Sequence, residues 1–364
     1  AGGALHLDVI DASERPGKTT HRRQRLSPQH FEPRVCSIVG RIAEPRYRCR
    51  TRPTGRASDI DRDQRLSKAR DAARDHWFKR YLSRPLESTV VHAGLKLFGM
   101  LPIDMASALG GLIARAIGPH LGISHRARRN LQLVYPRMPA HQVEAIVRGM
   151  WENLGRVAAE YPHLKNIAAR VELVGAEHIG GALARGKPII YFAAHLGNWE
   201  VAPPVAARHG TPLNLLYRPP NNPWVDVLVR RYRPEGAALR FVPKGIAGLR
   251  LIVRRLAAGQ HLGIIIDQKI RKGVPVPFLG REAMTTRAIA YLALKFDCAV
   301  LPVQIERVRG AYFRLTVHPP VDLSPTGNRK ADVRAITERL SSIIESWIHR
   351  RPEQWLWLHR RWPD

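Results

Sequence analysis

Apolar positions fall into regular patterns only in part of the 364-residue chain, from about His76 onward. Val143, Ile146, Val147, Met150, Leu154, Val157 and Tyr161 return at steps of three and four, the period of one helix face, and Pro162 ends the run. Short apolar runs then alternate with helix-period segments. The runs Val171–Val174, Ile189–Ala193, Leu213–Tyr217, Leu239–Val242, Leu262–Ile266, Val300–Gln304 and Phe313–Val317 read as strands. Segments near Trp199–His209, Pro223–Tyr232, Ile246–Ala258 and Thr286–Phe296 read as helices, and a last one carries Val333, Ile336, Leu340, Ile343, Ile344 and Trp347. Strand–helix alternation predicts an α/β fold, a largely parallel central sheet flanked by helices.

The first part of the chain breaks this pattern. Residues 1–75 hold arginine-rich runs ("RRQR", "RYRCRTRP"), scattered prolines and no apolar period. Such a segment cannot bury enough surface to offset its ordering entropy, so a basic, disordered extension is expected. Its opening, "AGGALHLDVIDASER", has no basic start leading into an apolar run. Val90–Gly118 is apolar but broken by Lys96, Pro102 and Asp104. A spanning helix needs about 20 mostly apolar residues. Two shorter helices within 76–120, lying on or dipping into one leaflet, or a poor single span are the membrane readings, and a buried helical hairpin is the alternative. Residues 121–364 would form the α/β domain.

Charge adds a constraint. A formal net charge of +29 points to phosphate-rich or acidic partners: nucleic acid, anionic lipid headgroups or an acidic carrier protein. A specific nucleic-acid binder is disfavoured, because zinc-finger spacing, an RRM signature and aromatics interleaved with the basic runs are all missing. Cys36, Cys49 and Cys298 make no disulfide framework or CxxC pair. Neither HExxH nor HxxEH occurs, so no metal and no cofactor are expected.

The chemistry concentrates in "IIYFAAHLGNWE". Ligands of open α/β sheets sit beyond the carboxyl ends of the strands, and His195 follows the strand Ile189–Ala193. Within one helix His195 and Glu200 would point about 140° apart. A turn at Gly197 would let the chain fold back and bring them together. The pair then reads as a general base and its orienting carboxylate. No GxSxG elbow or nearby cysteine offers a nucleophile, so a substrate hydroxyl is the group to activate. The structural alternative is a histidine satisfied at a helix start with Glu200 as dipole partner.

"HLGNWE" matches the H-x4-[DE] motif of glycerolipid-type acyltransferases. "YRPPNNPWVDVLVRRYR", "IIIDQKIRKGVPVPFLGREAMTTRAIAYLALKFDCAVLPV" and "PEQWLWLHRRW" follow in order, so the chain from about Leu86 to Trp362 resembles the lipid A biosynthesis (late) acyltransferases. The resemblance implies a glycerolipid acyltransferase-like fold and transfer of a fatty acyl chain from acyl carrier protein to a hydroxyl of a lipid A precursor. It implies His195 as base with Glu200 holding the imidazole, at the cytoplasmic face of an inner membrane with an anionic surface. Another membrane glycolipid or a lysophospholipid is the alternative acceptor. Arg218, at the end of the strand Leu213–Tyr217, is the candidate for oxyanion or phosphate binding. Asn222 either caps the following helix or meets substrate. Asp267 is either a loop anchor or a substrate contact. Thr285 and Thr286 either cap a helix or bind phosphate at its N-terminus, and Arg281 and Arg287, which flank them, are candidates to meet that phosphate. Arg230, Arg231, Arg233, Lys244, Arg250, Arg254 and Arg255 are candidates for one basic face. Glu353, Trp357, His359, Arg360 and Arg361 are expected to fix the C-terminus.

Overall fold

A computed structural model describes residues 83–209, 212–233 and 239–362. The extension expected over 1–75 lies outside these residues. Among the described residues, four long helices come first: α1 (Arg84–Met100), α2 (Ile103–Ile117), α3 (Ser124–Val134) and α4 (Ala140–Glu160). Pro102 separates α1 from α2, so the apolar stretch is two helices, and no described helix is long and apolar enough to cross a membrane.

The hydrophobic pattern of α2 is inverted. It buries its smallest residues, Ala106, Ser107, Gly110 and Gly111, and exposes Met105, Leu109, Leu112, Ile113 and Ile117. The small face allows close approach to α4: a Cβ on Gly110 would lie 2.4 Å from the Ala159 Cβ, and one on Gly155 would lie 2.2 Å from the Gly110 carbonyl oxygen.

Strand–helix alternation follows. The order is β1 (Val171–Val174), α5 (Ala176–Ala184), β2 (Ile189–Ala193), α6 (Ala202–Arg208), β3 (Leu213–Tyr217), α7 (Pro223–Tyr232), β4 (Leu239–Pro243), α8 (Ile246–Ala257), β5 (His261–Ile265), β6 (Val274–Phe278), β7 (Arg281–Thr285), α9 (Ala288–Phe296), β8 (Ala299–Arg309), β9 (Tyr312–Val317) and α10 (Arg329–Arg350). Seven strands form one sheet in the order β1-β9-β8-β2-β5-β3-β4, parallel throughout except for the antiparallel β8–β9 pair. Successive side chains of β2 serve opposite faces, as the two-residue strand repeat requires. Ile190 and Phe192 join a core with α4, α8, α9 and α10, whereas Ile189 and Tyr191 join a second core containing Val201, Val205 and Ala182.

Two features differ from the sequence reading. Thr285 does not precede a helix directly; it ends β7, paired antiparallel with β6. The hairpin escaped the sequence reading because Pro275 and Pro277 interrupt the strand signal. Strands tolerate proline where its missing N–H is not needed, and these two fall on the same side of β6. The segment from Trp199 also starts as a 3₁₀ turn, Trp199–Val201, before α6.

Candidate active site

Register builds the site. Ala193 of β2 lies opposite Ile265 of β5. His195 and Asp267, each two residues further on, leave the same sheet edge side by side. His195 Nδ1 lies 2.8 Å from Asp267 Oδ1, and the His195 backbone N–H donates to Asp267 Oδ2 at 3.0 Å. Trp355 Nε1 donates to Oδ2 as well, at 2.7 Å. Burial alone would raise the Asp267 pKa, but the His195 charge and hydrogen bonds outweigh it and hold the carboxyl well below its usual range. An ionised carboxylate accepts only, so Nδ1 carries a proton, and in the neutral ring it is Nε2 that presents its lone pair. The Gln268 side-chain nitrogen lies 3.2 Å from that Nε2 and 3.1 Å from the Nε2 of His359.

The expected contact between His195 and Glu200 is not made: the carboxylate hydrogen-bonded to His195 is that of Asp267. Gly197 does form the anticipated turn, with φ +58°, and a Cβ there would come within 2.7 Å of the Ile305 carbonyl oxygen. Asn198 then accepts from the Glu200 backbone N–H at 3.1 Å and donates to Glu160 at 2.7 Å. This turn aims Glu200 elsewhere. Its carboxylate takes a two-point bond from Arg233, Nε at 3.1 Å and Nη2 at 2.7 Å. Both side chains are largely buried. Burial lowers the Arg233 pKa, but the Glu200 charge reverses this and keeps the guanidinium firmly charged. Arg233 is thus no part of an exposed basic face. The spacing argument did not reveal it, because the signal was one arginine among several in "RRYR".

Two cavities meet here. A polar cleft is bounded by His195, Gln268, His359, Arg218, Asn221 and Lys244. An apolar channel runs among Ile179, Ala202, Ala206, Leu213, Phe241 and Leu315. They share Trp199, Glu200, Leu216, Tyr217, Arg233 and Ile265. The Trp199 ring stands edge-on to His195, centroids 5.0 Å apart.

His359 comes from the far end of the chain. Leu356 N–H donates to the His195 carbonyl at 3.2 Å, and Asn130 Nδ2 donates to the carbonyls of Trp357 and His359, both at 2.8 Å. Burial first, then the neighbouring His195, push the His359 pKa down to about 4 from 6.5. The unfolded chain thus binds more protons between these values, and stability falls as pH falls through that window. The loss is on the order of 3 kcal/mol. Urea unfolding at pH 7 and pH 4.5 checks this: the native protein should lose more stability between the two than His359→Gln, and equal losses would contradict a buried neutral His359.

The remaining candidates divide. Arg218 lines the cleft, with Nη2 3.4 Å from Asn221 Oδ1. Asn222 caps α7, accepting from Trp224 N–H at 3.1 Å, and its amide donates to Arg84 O and Glu87 Oε2. Thr285 is buried and accepts from Arg361 Nη2 at 2.6 Å. Thr286 accepts from Ala288 N–H at 3.3 Å, and Arg287 sits at the N-cap position of α9. None of these three lines the cleft. No cluster of potential metal ligands occurs among the described residues.

Residues 77–364 match the sequence profile of the bacterial lipid A biosynthesis acyltransferases. The protein is an acyltransferase. It belongs to the bacterial lipid A biosynthesis acyltransferase family. Curated relatives include a lipid A biosynthesis acyltransferase of Haemophilus influenzae, 27% identical over 72% of this chain and 83% of that protein. The lipid A biosynthesis palmitoleoyltransferase of Escherichia coli is 26% identical over 73% of this chain and 88% of its own length. A phosphatidylinositol mannoside acyltransferase of Mycolicibacterium smegmatis is 25% identical over 74% and 89%.

Proposed function

We propose that this acyltransferase moves a fatty acyl chain from the thioester of acyl carrier protein to a hydroxyl of a lipid A precursor at the cytoplasmic face of the inner membrane. The observation that carries this reading is the junction of the two cavities: a histidine base opens into a polar cleft that shares six residues with an apolar channel. The acyl chain lies in the channel and the acceptor headgroup in the cleft. His195 Nε2 takes the proton of the acceptor hydroxyl as its oxygen attacks the thioester carbonyl. The Gln268 amide, which faces that lone pair now, yields its place to the hydroxyl. Asp267 stabilises the imidazolium that forms. Arg233, held by Glu200 where the cavities meet, balances the charge on the tetrahedral oxyanion. Collapse expels the carrier thiolate, which receives the proton from His195. Glu200 acts through Arg233 in this scheme. Arg218 and Lys244 meet anionic groups at the cleft rim. Helices α1 and α2 rest their exposed apolar side chains on the leaflet, and the +29 charge draws the chain to an anionic surface and an acidic carrier.

Mass spectrometry of lipids from an acyltransferase-deficient strain expressing this chain tests the reading. Restoration of the missing acyl group supports it. An acylated mannoside or lysophospholipid in its place moves the acceptor, and a trapped acyl-enzyme overturns the direct mechanism. The channel makes its own prediction. Ala206 sits on its wall. Ala206→Phe should shift donor preference toward shorter chains, with kcat/KM for the longest accepted donor falling about tenfold or more. Unchanged chain-length preference in the folded variant would remove the channel from the acyl path.

A further inference from the structure

The rim of the cleft carries an arrangement that acyl transfer itself does not require. The strands β3, β4 and β5 are parallel, so the loops after them leave the same sheet edge as His195. Each loop combines cations with a large apolar side chain held out in solvent. After β3 come Arg218 and, in the first turns of α7, Trp224 and Val227, 62% and 69% exposed. After β4 come Lys244 and Ile246, the latter 54% exposed. After β5 come Lys269, Ile270, Arg271 and Lys272, with Ile270 38% exposed. Gln268, Lys244 and Arg218 line the cleft itself, so these residues border its opening. Helix α7 buries none of its residues and is tied to α1 through the Asn222 amide, which bonds Arg84 O at 2.8 Å and Glu87 Oε2 at 3.0 Å. The rim is therefore joined to the helix pair that exposes Val90, Leu97, Met100, Leu112 and Ile113.

We propose that the rim formed by Trp224, Val227, Ile246 and Ile270, with the lysines and arginines between them, is a docking surface for an anionic lipid bilayer that seats the mouth of the cleft on the leaflet. Two observations select this occupant. The apolar tips come from the ends of three strands, and each of these segments also carries basic residues, which suits side chains dipping between charged headgroups. A second protein would favour one contiguous apolar core with charge excluded. The consequence is catalytic. An acceptor lipid could present its hydroxyl to His195 while its chains stay in the leaflet. The inference rests on the membrane-lipid acceptor of the proposed function, and its test separates the two.

Full-length protein and a fourfold variant (Trp224→Ser, Val227→Ser, Ile246→Ser, Ile270→Ser) are compared on vesicles of three parts phosphatidylethanolamine to one part phosphatidylglycerol. All four side chains lie outside the cleft and channel linings. Expected are a rise of about tenfold or more in KM for vesicle-borne acceptor and turnover within twofold of native protein in detergent micelles. Brominated lipids should quench the native protein more than Trp224→Phe, the difference reporting Trp224 in the acyl region. Equal quenching, or an unchanged KM on vesicles, overturns the docking surface. A variant that binds vesicles normally but changes from dimer to monomer overturns it in favour of a second copy. Vesicle binding gained only on deletion of residues 1–82 overturns it in favour of that segment as the occupant. Loss of activity of the native protein in micelles as well would fault the proposed reaction instead.

Discussion

His195→Ala should lower turnover at least 100-fold and up to about 10,000-fold while the protein stays folded. That is the range a positioned general base supplies. Asp267→Asn should fall close to the same floor. Its amide would keep the size of the carboxylate but would no longer favour the Nδ1–H tautomer, so the lone pair at Nε2 would no longer be assured. The double variant should be little worse than His195→Ala alone, because residues acting as one unit are not additive. Glu200→Gln separates the two carboxylates. It weakens the hold on Arg233 and leaves the His195–Asp267 bond intact, so its loss should add to that of Asp267→Asn. Turnover measured on folded protein, with circular dichroism as control, decides. Near-normal turnover in His195→Ala would return the histidine to a structural role. A non-additive Glu200–Asp267 pair would reunite both carboxylates in one function.

The largest effect on stability is expected at Glu160. This fully buried carboxylate closes α4 and accepts from Ser107 Oγ at 2.6 Å, Asn198 Nδ2 at 2.7 Å and both terminal nitrogens of Arg307, with Nη2 at 3.0 Å. Arg307 in turn donates through Nε to Asn153 Oδ1 at 2.9 Å and lies over the Phe313 ring, 4.7 Å from its centre. The network joins the helical layer, the turn that carries Glu200, and β8. Removing one partner leaves the other charge buried and unpaired, at a cost of about 3–5 kcal/mol. Arg307→Leu should therefore lower the unfolding free energy by that amount. Glu160→Leu with Arg307→Leu together should cost clearly less than the sum of the single changes. Urea titration of the three variants measures this. A loss below about 1 kcal/mol in Arg307→Leu would mean that the pair is weaker than its burial implies.

Much of the sheet was legible because its strands are short, mainly apolar runs, and the central β2 and β5 are buried on both faces. Ile189–Ala193, Leu213–Tyr217 and Val171–Val174 were bounded to the residue, and so was the helix Pro223–Tyr232, marked by Asn222 and Pro223. His195 and its glycine turn were also legible, since a histidine after an apolar strand is a local signal. Its partner was not. His195 and Asp267 are 72 residues apart, and only the register of β2 against β5 brings them together. Sequence proximity favoured Glu200, and a turn's direction cannot be read from spacing. The same holds for Glu200 and Arg233, and for His359, 91 residues from Gln268. Asp267 had stood between anchor and substrate contact; in the structure it is buried and accepts three hydrogen bonds, two of them from His195 and one from Trp355.

The closure of the site by Trp355, Leu356 and His359 sets an order of events during synthesis. His195 and Asp267 leave the ribosome well before Trp355, which follows Asp267 by 88 residues. At about 5–20 residues per second that interval is roughly 4–18 seconds. Throughout it the nascent chain holds His195 and Asp267 but lacks the indole that bonds Asp267, the amide that bonds the His195 carbonyl and the second imidazole beside the cleft. The site is therefore complete only once this segment has been made, long after α1 and α2 have emerged. A chain cut short before "WLWLHRRW" would carry the whole H-x4-E motif and still lack a finished site.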